Sequence, residues 1–197
     1  MLKRFDSNNK LYKECLCLIN KKKIKNLFIA GGTTTKDLIK ILKKNNFKSN
    51  IKIFLTDERI TKSEDNKNYK NFKILKFNKK IKLFNICNYT NNIDYYNKLL
   101  PNKPDFSIIG VGSDGHIASI FKDQIKINFS DKLLYTKKEN ENFLRISVTF
   151  DYILKSKQII LLFKNEKRYI LIRKKSIVSD LIKKYKKKKF IQIYKKK

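Results

Sequence analysis

The chain has 197 residues, 41% of them hydrophobic, which is enough to bury one substantial core and too few for two ordinary domains. No apolar run approaches the roughly 20 residues that span a bilayer, and the start, Met1-Leu2-Lys3-Arg4-Phe5-Asp6, lacks the apolar core of a signal peptide, so a cytoplasmic protein with no membrane partner is expected. A formal net charge of +31 would ordinarily point to nucleic acid, but only five of the 48 basic residues are arginine: Arg4, Arg59, Arg145, Arg168 and Arg173.

A nucleic-acid groove favours arginine, whose planar fork reads phosphates and bases. Here lysine, Asn, Ile, Phe and Tyr are abundant while Gly and Pro number five and two, the pattern A/T-rich codons impose on any protein. Most of the lysine excess is therefore read as bias on a solvated surface, and no specific nucleic acid is expected. The arginines and glycines that remain are the informative residues. Cys15, Cys17 and Cys87 form neither an even framework nor a C-x-x-C pair, so buried thiols are expected rather than disulfides or zinc ligands.

In chain order, Leu11, Cys15, Leu18 and Ile19 fall at helical spacing and predict a helix over 8–23. Asn26 to Ala30 is a short apolar run, and Gly31-Gly32-Thr33-Thr34-Thr35 turns the chain into a helix from Thr34 to Asn46, with a Thr cap and Asp37 in its first turn. Ile51 to Leu55 predicts a buried strand ending in Thr56-Asp57-Glu58-Arg59. A polar loop runs to Asn68, then a helix over Tyr69 to Phe77, a strand over Ile81 to Ile86 and a helix over Asn92 to Leu100. Pro101 and Pro104 lead into a strand over Asp105 to Ile109, which ends in Gly110-Val111-Gly112-Ser113-Asp114-Gly115-His116 and feeds a short helix from Ile117.

Beyond it lie Leu133-Leu134-Tyr135, a polar loop, the alternating strand Arg145 to Phe150, a short helix from Asp151 and a strand over Gln158 to Phe163. Helices near 166–174 and 177–185 and a last strand at Phe190 to Tyr194, set in a lysine-rich tail, complete the chain. Strands alternating with helices predict an α/β fold, a mainly parallel sheet with helices on both faces in one Rossmann-like domain over 1–197.

Strand carboxyl ends share one edge of a parallel sheet, and ligands bind there. Three segments are candidates for that edge. Gly32-Thr33-Thr34 presents backbone N–H groups at a helix start, which suits an anion. Arg59 adds a bidentate cation next to Asp57. His116 is the single histidine of the chain, and an imidazole exchanges a proton near neutral pH, with Asp114 placed to orient it.

The stretch Gly110 to Phe121 resembles the G-x-G-x-D-G-H-T-A-S-L-F signature of 6-phosphogluconolactonases, with Ile117 and Ile120 replacing Thr and Leu. Gly31 to Thr35 looks like that family's G-G-S-T-P turn and Asp57-Glu58-Arg59 like its D-E-R. Asn68-Tyr69, Arg145 to Thr149 and Asn165-Glu166-Lys167 fall in the family's order. Thr35 and Lys122 stand where the family carries Pro, and the Lys-Pro-Pro before Arg145 is missing.

The resemblance implies hydrolysis of 6-phosphoglucono-δ-lactone in the oxidative pentose phosphate pathway, with no metal or organic cofactor. It implies His116 as general base, Asp114 beside it, and Gly32, Thr33, Thr34, Asp57, Arg59, Lys138 and Arg145 around the substrate. The oligomeric state is not readable, and a monomer is favoured. The sibling glucosamine-6-phosphate deaminases share D-G-H but continue it as I-A-F-N-E-P; Ser119-Ile120-Phe121 follows the lactonase pattern instead. A basic nucleic-acid-binding protein is the alternative from another class.

Overall fold

The computed structural model describes residues 2–5, 8–21, 24–89, 92–122, 125–138, 141–184 and 190–195. Its main sheet is built from strands whose two faces are both apolar. In β2 (Asn26–Ile29), Phe28 enters one core cluster while Leu27 and Ile29 enter another on the opposite face. The same division holds in β3 (Ile51–Leu55), where Phe54 opposes Ile53 and Leu55, and in β10 (Gln158–Phe163), where Ile159, Leu161 and Phe163 oppose Ile160 and Leu162. Strands apolar on both sides must be covered on both sides, the signature of a parallel sheet between layers.

The helices supply that cover. α1 (Asn8–Lys21) and α2 (Lys36–Lys44) pack on one face through Tyr12, Cys15, Ile19, Leu38 and Leu42. α3 (Ile93–Leu99), α4 (Phe150–Leu154) and α6 (Ile177–Lys184) pack on the other through Tyr96, Tyr152, Ile153, Val178 and Leu181. α5 (Glu166–Tyr169) follows β10. With β1 (Leu2–Phe5), β5 (Ile81–Phe84), β6 (Phe106–Gly110) and β11 (Phe190–Lys195), the seven strands run parallel in the order β1-β11-β10-β6-β2-β3-β5. The expected α/β architecture is borne out.

The order matters for function. From β2 the chain steps outward through β3 to β5, then returns to lay β6 on the other side of β2 and steps outward through β10. The carboxyl ends of β2 and β6 therefore border a topological switch point, where an open α/β sheet leaves a crevice. Gly31-Gly32 follows β2, and Val111-Gly112 follows β6.

A second sheet was not foreseen from the sequence. It is antiparallel, in the order β4-β9-β8-β7, from β4 (Asp57–Ile60), β9 (Leu144–Val148), β8 (Leu133–Lys137) and β7 (Ile125–Asn128). Thr56 is the hinge between the sheets: its N–H donates to Ile29 O at 3.1 Å, and its carbonyl accepts from Val148 N at 2.8 Å. Asp57-Glu58-Arg59 thus opens a strand of the second sheet instead of closing one of the first.

Other expectations also need correction. The segment after His116 is not helical. Isolated bridges pair Val111 with Ile117 and Ile117 with Ile120, and Ala118 sits at φ 50. Burial of Ile117, Ser119 and Ile120 overrides helix formation there. Residues 68–77 form 3-10 turns rather than an α-helix. Thr35 stands at the N-cap of α2, but its hydroxyl donates back to Ala30 O and Gly32 O, tying the glycine turn to β2 instead of capping. Residues 185–189, 196 and 197 of the lysine-rich tail lie outside the described residues.

The cysteines behave as structural thiols. Cys15 is fully buried, Cys17 and Cys87 are half-buried, and none of the three is in a disulfide. Burial pushes the Cys15 and Cys87 thiols up to about 12, which leaves them protonated and unreactive at neutral pH.

Candidate active site

The switch-point crevice is a cleft of about 210 Å³. Its walls are the Gly32-Thr33-Thr34-Thr35 turn, the Gly110 to Ser113 turn, and side chains brought over from the second sheet. His116 lines it, so the chain's single histidine lies at the sheet's ligand-binding edge.

Local backbone geometry places the imidazole. Gly112 N–H donates to His116 O at 2.9 Å, closing the turn under the ring, and the His116 N–H donates to Asp114 Oδ1 at 3.1 Å. Gly115 takes φ +83, which a side chain would resist, and a methyl there would meet Ser176 Cβ at 2.7 Å. His116 Nδ1 lies 2.5 Å from Asp114 Oδ1. An ionised carboxylate only accepts, so Nδ1 carries the proton of this bond and neutral His116 keeps its lone pair on Nε2. Phe121 packs against the imidazole with ring centroids 4.6 Å apart.

The hydrogen bond from the imidazole holds the Asp114 carboxyl well below the usual carboxylate range, against a smaller opposing effect of burial. A carboxylate depressed in the folded state contributes stability that is present above its unfolded pKa of about 4 and is lost as pH falls further. Asp114→Asn is therefore expected to flatten the acid limb of a stability-against-pH curve below about pH 4, read by thermal unfolding. Half-exposed Asp114 makes this effect small beside its effect on the ring.

Opposite the histidine stand three arginines. The antiparallel register sets Arg59 beside Arg145 and Asp57 beside Ser147. Like charges on neighbouring strands repel, and two devices hold them. Glu141 accepts from Arg145 Nε at 2.8 Å and from Nη2 at 2.5 and 2.6 Å, while Arg59 Nη1 donates to Asn66 O at 2.7 Å. Both guanidiniums lie over the Phe143 ring, at 5.9 and 5.3 Å. Arg168, from α5, donates to Val111 O at 2.9 Å and to Thr34 Oγ1 at 3.3 Å, bridging the two glycine turns.

The acidic residues of the D-E-R segment divide their tasks. Buried Asp57 accepts from Thr56 Oγ1 at 3.0 Å, Asn68 Nδ2 at 3.1 Å and Ser119 Oγ at 2.7 Å, so one carboxylate joins the two sheets and the segment after His116. Glu58 accepts the N–H groups of Arg59, Asn68 and Tyr69 at 2.7, 2.6 and 2.7 Å, which fixes the loop carrying Asn68 into the cleft. Burial pushes the Glu58 carboxyl above its ordinary range, and those three donors oppose the shift.

Of the residues singled out in the sequence, Gly32, Thr33, Thr34, Asp57, Arg59, His116 and Arg145 line the cleft together, with Asp114 on the imidazole. Lys138 does not line it. That side chain is exposed, its Nζ 5.6 Å from the Phe121 ring centroid. Lys167 is also exposed, and its neighbour Arg168 turns inward instead. Sequence reasoning gave no role to Arg168, Asn68, Ser119 or Glu141. Arg168 stands out in the sequence as one of five arginines in a lysine-dominated chain, Asn68 and Ser119 lie within the family-like motifs, and Glu141 carries no signal.

A family model described as glucosamine-6-phosphate isomerases/6-phosphogluconolactonase matches residues 6–186. The chain belongs to this family. A 6-phosphogluconolactonase from Borreliella burgdorferi is 32% identical over 167 residues, covering 74% of this chain and 70% of that protein. The glucosamine-6-phosphate isomerase/6-phosphogluconolactonase fold is shared with a 6-phosphogluconolactonase from Shewanella baltica OS155, at TM-score 0.77 and 19% identity over 100% of this chain and 97% of that one. A 6-phosphogluconolactonase from Leishmania guyanensis gives TM-score 0.79 and 17% identity over 99% and 96%. No helix among the described residues is long and apolar enough to cross a membrane, and no group of three or more His, Cys, Asp or Glu among them is placed to hold a metal ion.

Proposed function

We propose that this chain is a cytoplasmic 6-phosphogluconolactonase, hydrolysing 6-phospho-D-glucono-1,5-lactone to 6-phosphogluconate in the oxidative pentose phosphate pathway. The observation that carries this is the meeting of the His116–Asp114 couple with Arg59, Arg145 and Arg168 around one small cleft. A base facing several fixed cations suits an anionic, electrophilic substrate. The 32%-identical relative favours the lactonase over the deaminase branch, as does Ser119, which satisfies buried Asp57.

In the proposed reaction His116 Nε2 takes a proton from a water molecule as that water attacks the lactone carbonyl. Asp114 keeps the proton on Nδ1 and stabilises the imidazolium. The tetrahedral oxyanion collapses with cleavage of the ring C–O bond, and the imidazolium returns its proton to the departing ring oxygen. Gly32, Thr33 and Thr34, at the positive end of the nine-residue helix α2, receive the phosphate together with Arg59 and Arg168. Arg145, neutralised in part by Glu141, and Asp57 border the sugar. The lactone hydrolyses spontaneously, so positioning supplies much of the acceleration.

Acid release from freshly generated 6-phosphogluconolactone, above the spontaneous rate, tests the reading; ammonia release from glucosamine-6-phosphate without lactone hydrolysis would overturn it. Arg59→Ala and Arg168→Ala are each expected to raise KM for the phosphorylated lactone roughly 10- to 100-fold, the worth of one charge-assisted hydrogen bond, with a smaller change in kcat. Unchanged KM in either variant assigns that arginine a structural task.

A further inference from the structure

At the opposite, amino-terminal edge of the parallel sheet lies a larger concavity of about 730 Å³. The end of α1 and the approaches to β2, β3 and β5 enclose it. Ile19, Ile24, Phe47 and Ile51 form its floor, each no more than 5% exposed, and half-buried Ile81 forms part of a wall. The rim carries Lys25, Lys48, Lys52, Lys79, Lys80 and Lys82, all exposed.

Exposed lysines are common over this whole surface, and here six of the 14 lining residues are lysine and none is acidic. Among the described residues, the lysine ion pairs involve Lys40, Lys67, Lys70, Lys73, Lys155 and Lys157, and none of the six. Lys82 Nζ lies over the Phe84 ring, 5.4 Å from its centroid, and the other five ammonium groups of the rim carry no counter-charge among the described residues, which raises the local potential along a concave wall. A multiply charged anion relieves that repulsion. Lysine serves it well, because ammonium groups on long stems act as mobile point charges toward phosphate oxygens. The apolar floor offers burial to an organic body, and the volume lies within the roughly 300–1,000 Å³ of sites that hold small molecules and cofactors.

We propose that this concavity binds a soluble organic polyphosphate of the nucleotide class, with its phosphates on the lysine rim and its less polar body against Ile24, Phe47 and Ile51. The site is separate from the catalytic cleft and independent of the lactonase reading.

Calorimetric titration of the full chain with ATP, and with inorganic tripolyphosphate, tests it. One equivalent of ATP is expected to bind, about fivefold or more tighter than tripolyphosphate, with affinity falling as salt rises. The triple variant K48E/K52E/K80E should weaken ATP at least about tenfold, and K48Q/K52Q/K80Q should weaken it less, because removing charge costs less than reversing it. The control K98E/K137E/K183E reverses three exposed lysines elsewhere and should stay within about twofold of the unaltered chain. Thermal unfolding of each variant reports that the fold is kept. Absence of ATP binding, equal loss in the control, or ATP binding no tighter than tripolyphosphate overturns the proposal. So does single-stranded RNA binding more tightly than ATP and being lost in K48E/K52E/K80E, which assigns the rim to nucleic acid.

Discussion

Replacing His116 with alanine is expected to lower kcat for lactone hydrolysis by about 10²- to 10⁴-fold, the usual worth of a positioned general base, or roughly 2.7–5.5 kcal/mol of barrier. KM should move little, because the phosphate contacts assigned to Arg59, Arg168 and the Gly32 to Thr34 turn are untouched. The fold should be kept. The side chain is 29% exposed, and its main partner, Asp114, is 51% exposed, so little buried structure depends on it. Comparing initial rates of acid release and thermal midpoints of the two proteins checks both halves. Near-unchanged kcat in a correctly folded variant would remove His116 from the chemistry and leave the arginine-lined cleft as a binding site only.

The sequence disclosed those parts of the fold and site that local chemistry determines. A short continuous apolar run such as Ile159 to Phe163, too brief for a helix that spans the core, reads as a buried strand, and the whole of Gln158 to Phe163 is buried in β10. Glycine pairs mark strand ends because few other residues make the turn, and both glycine turns do border the cleft. What could not be read is decided by distant partners. Asp57-Glu58-Arg59 looks like the end of a strand, and only its pairing with Leu144–Val148 makes it the start of another sheet. The His116 motif ends in residues with reasonable helical spacing, yet Ser119 is drawn into a buried hydrogen bond with Asp57, 62 positions away in sequence.

The cations of the cleft show the same limit in opposite directions. The resemblance places Lys138 beside the substrate across a loop whose Lys-Pro-Pro is absent, and the side chain does not line the cleft. Arg168 adjoins the Lys167 that the resemblance singled out. Which of two adjacent side chains faces inward depends on the pitch and docking of α5, a four-residue helix with too little periodicity to read. Arg59 and Arg145 each occupy recognisable motifs, but their adjacency follows from the register of the second sheet, which no short pattern announces.

The second large effect is expected from a single methyl group. A Cβ built on Gly112 would lie 2.1 Å from His116 Cε1, 2.2 Å from Nδ1 and 2.8 Å from Cγ, far inside van der Waals contact. Gly112→Ala must therefore drive the imidazole off its seat and break the Nδ1–Asp114 hydrogen bond, although no catalytic atom has been removed. Displacing a catalytic group by about 1 Å can cost 10²-fold, so kcat is expected to fall by at least that factor with KM changed only a few-fold. The double variant Gly112→Ala/His116→Ala should be little worse than His116→Ala alone, because both changes abolish one interaction. With one histidine in the chain, the imidazole resonances are free of overlap, and their position and titration report the ring directly. They should shift in Gly112→Ala and stay in place in Gly32→Ala, where an added Cβ meets nothing within 4 Å. If Gly112→Ala kept both its imidazole signals and its kcat, the ring would work from a position other than the one beneath Phe121 and beside Asp114.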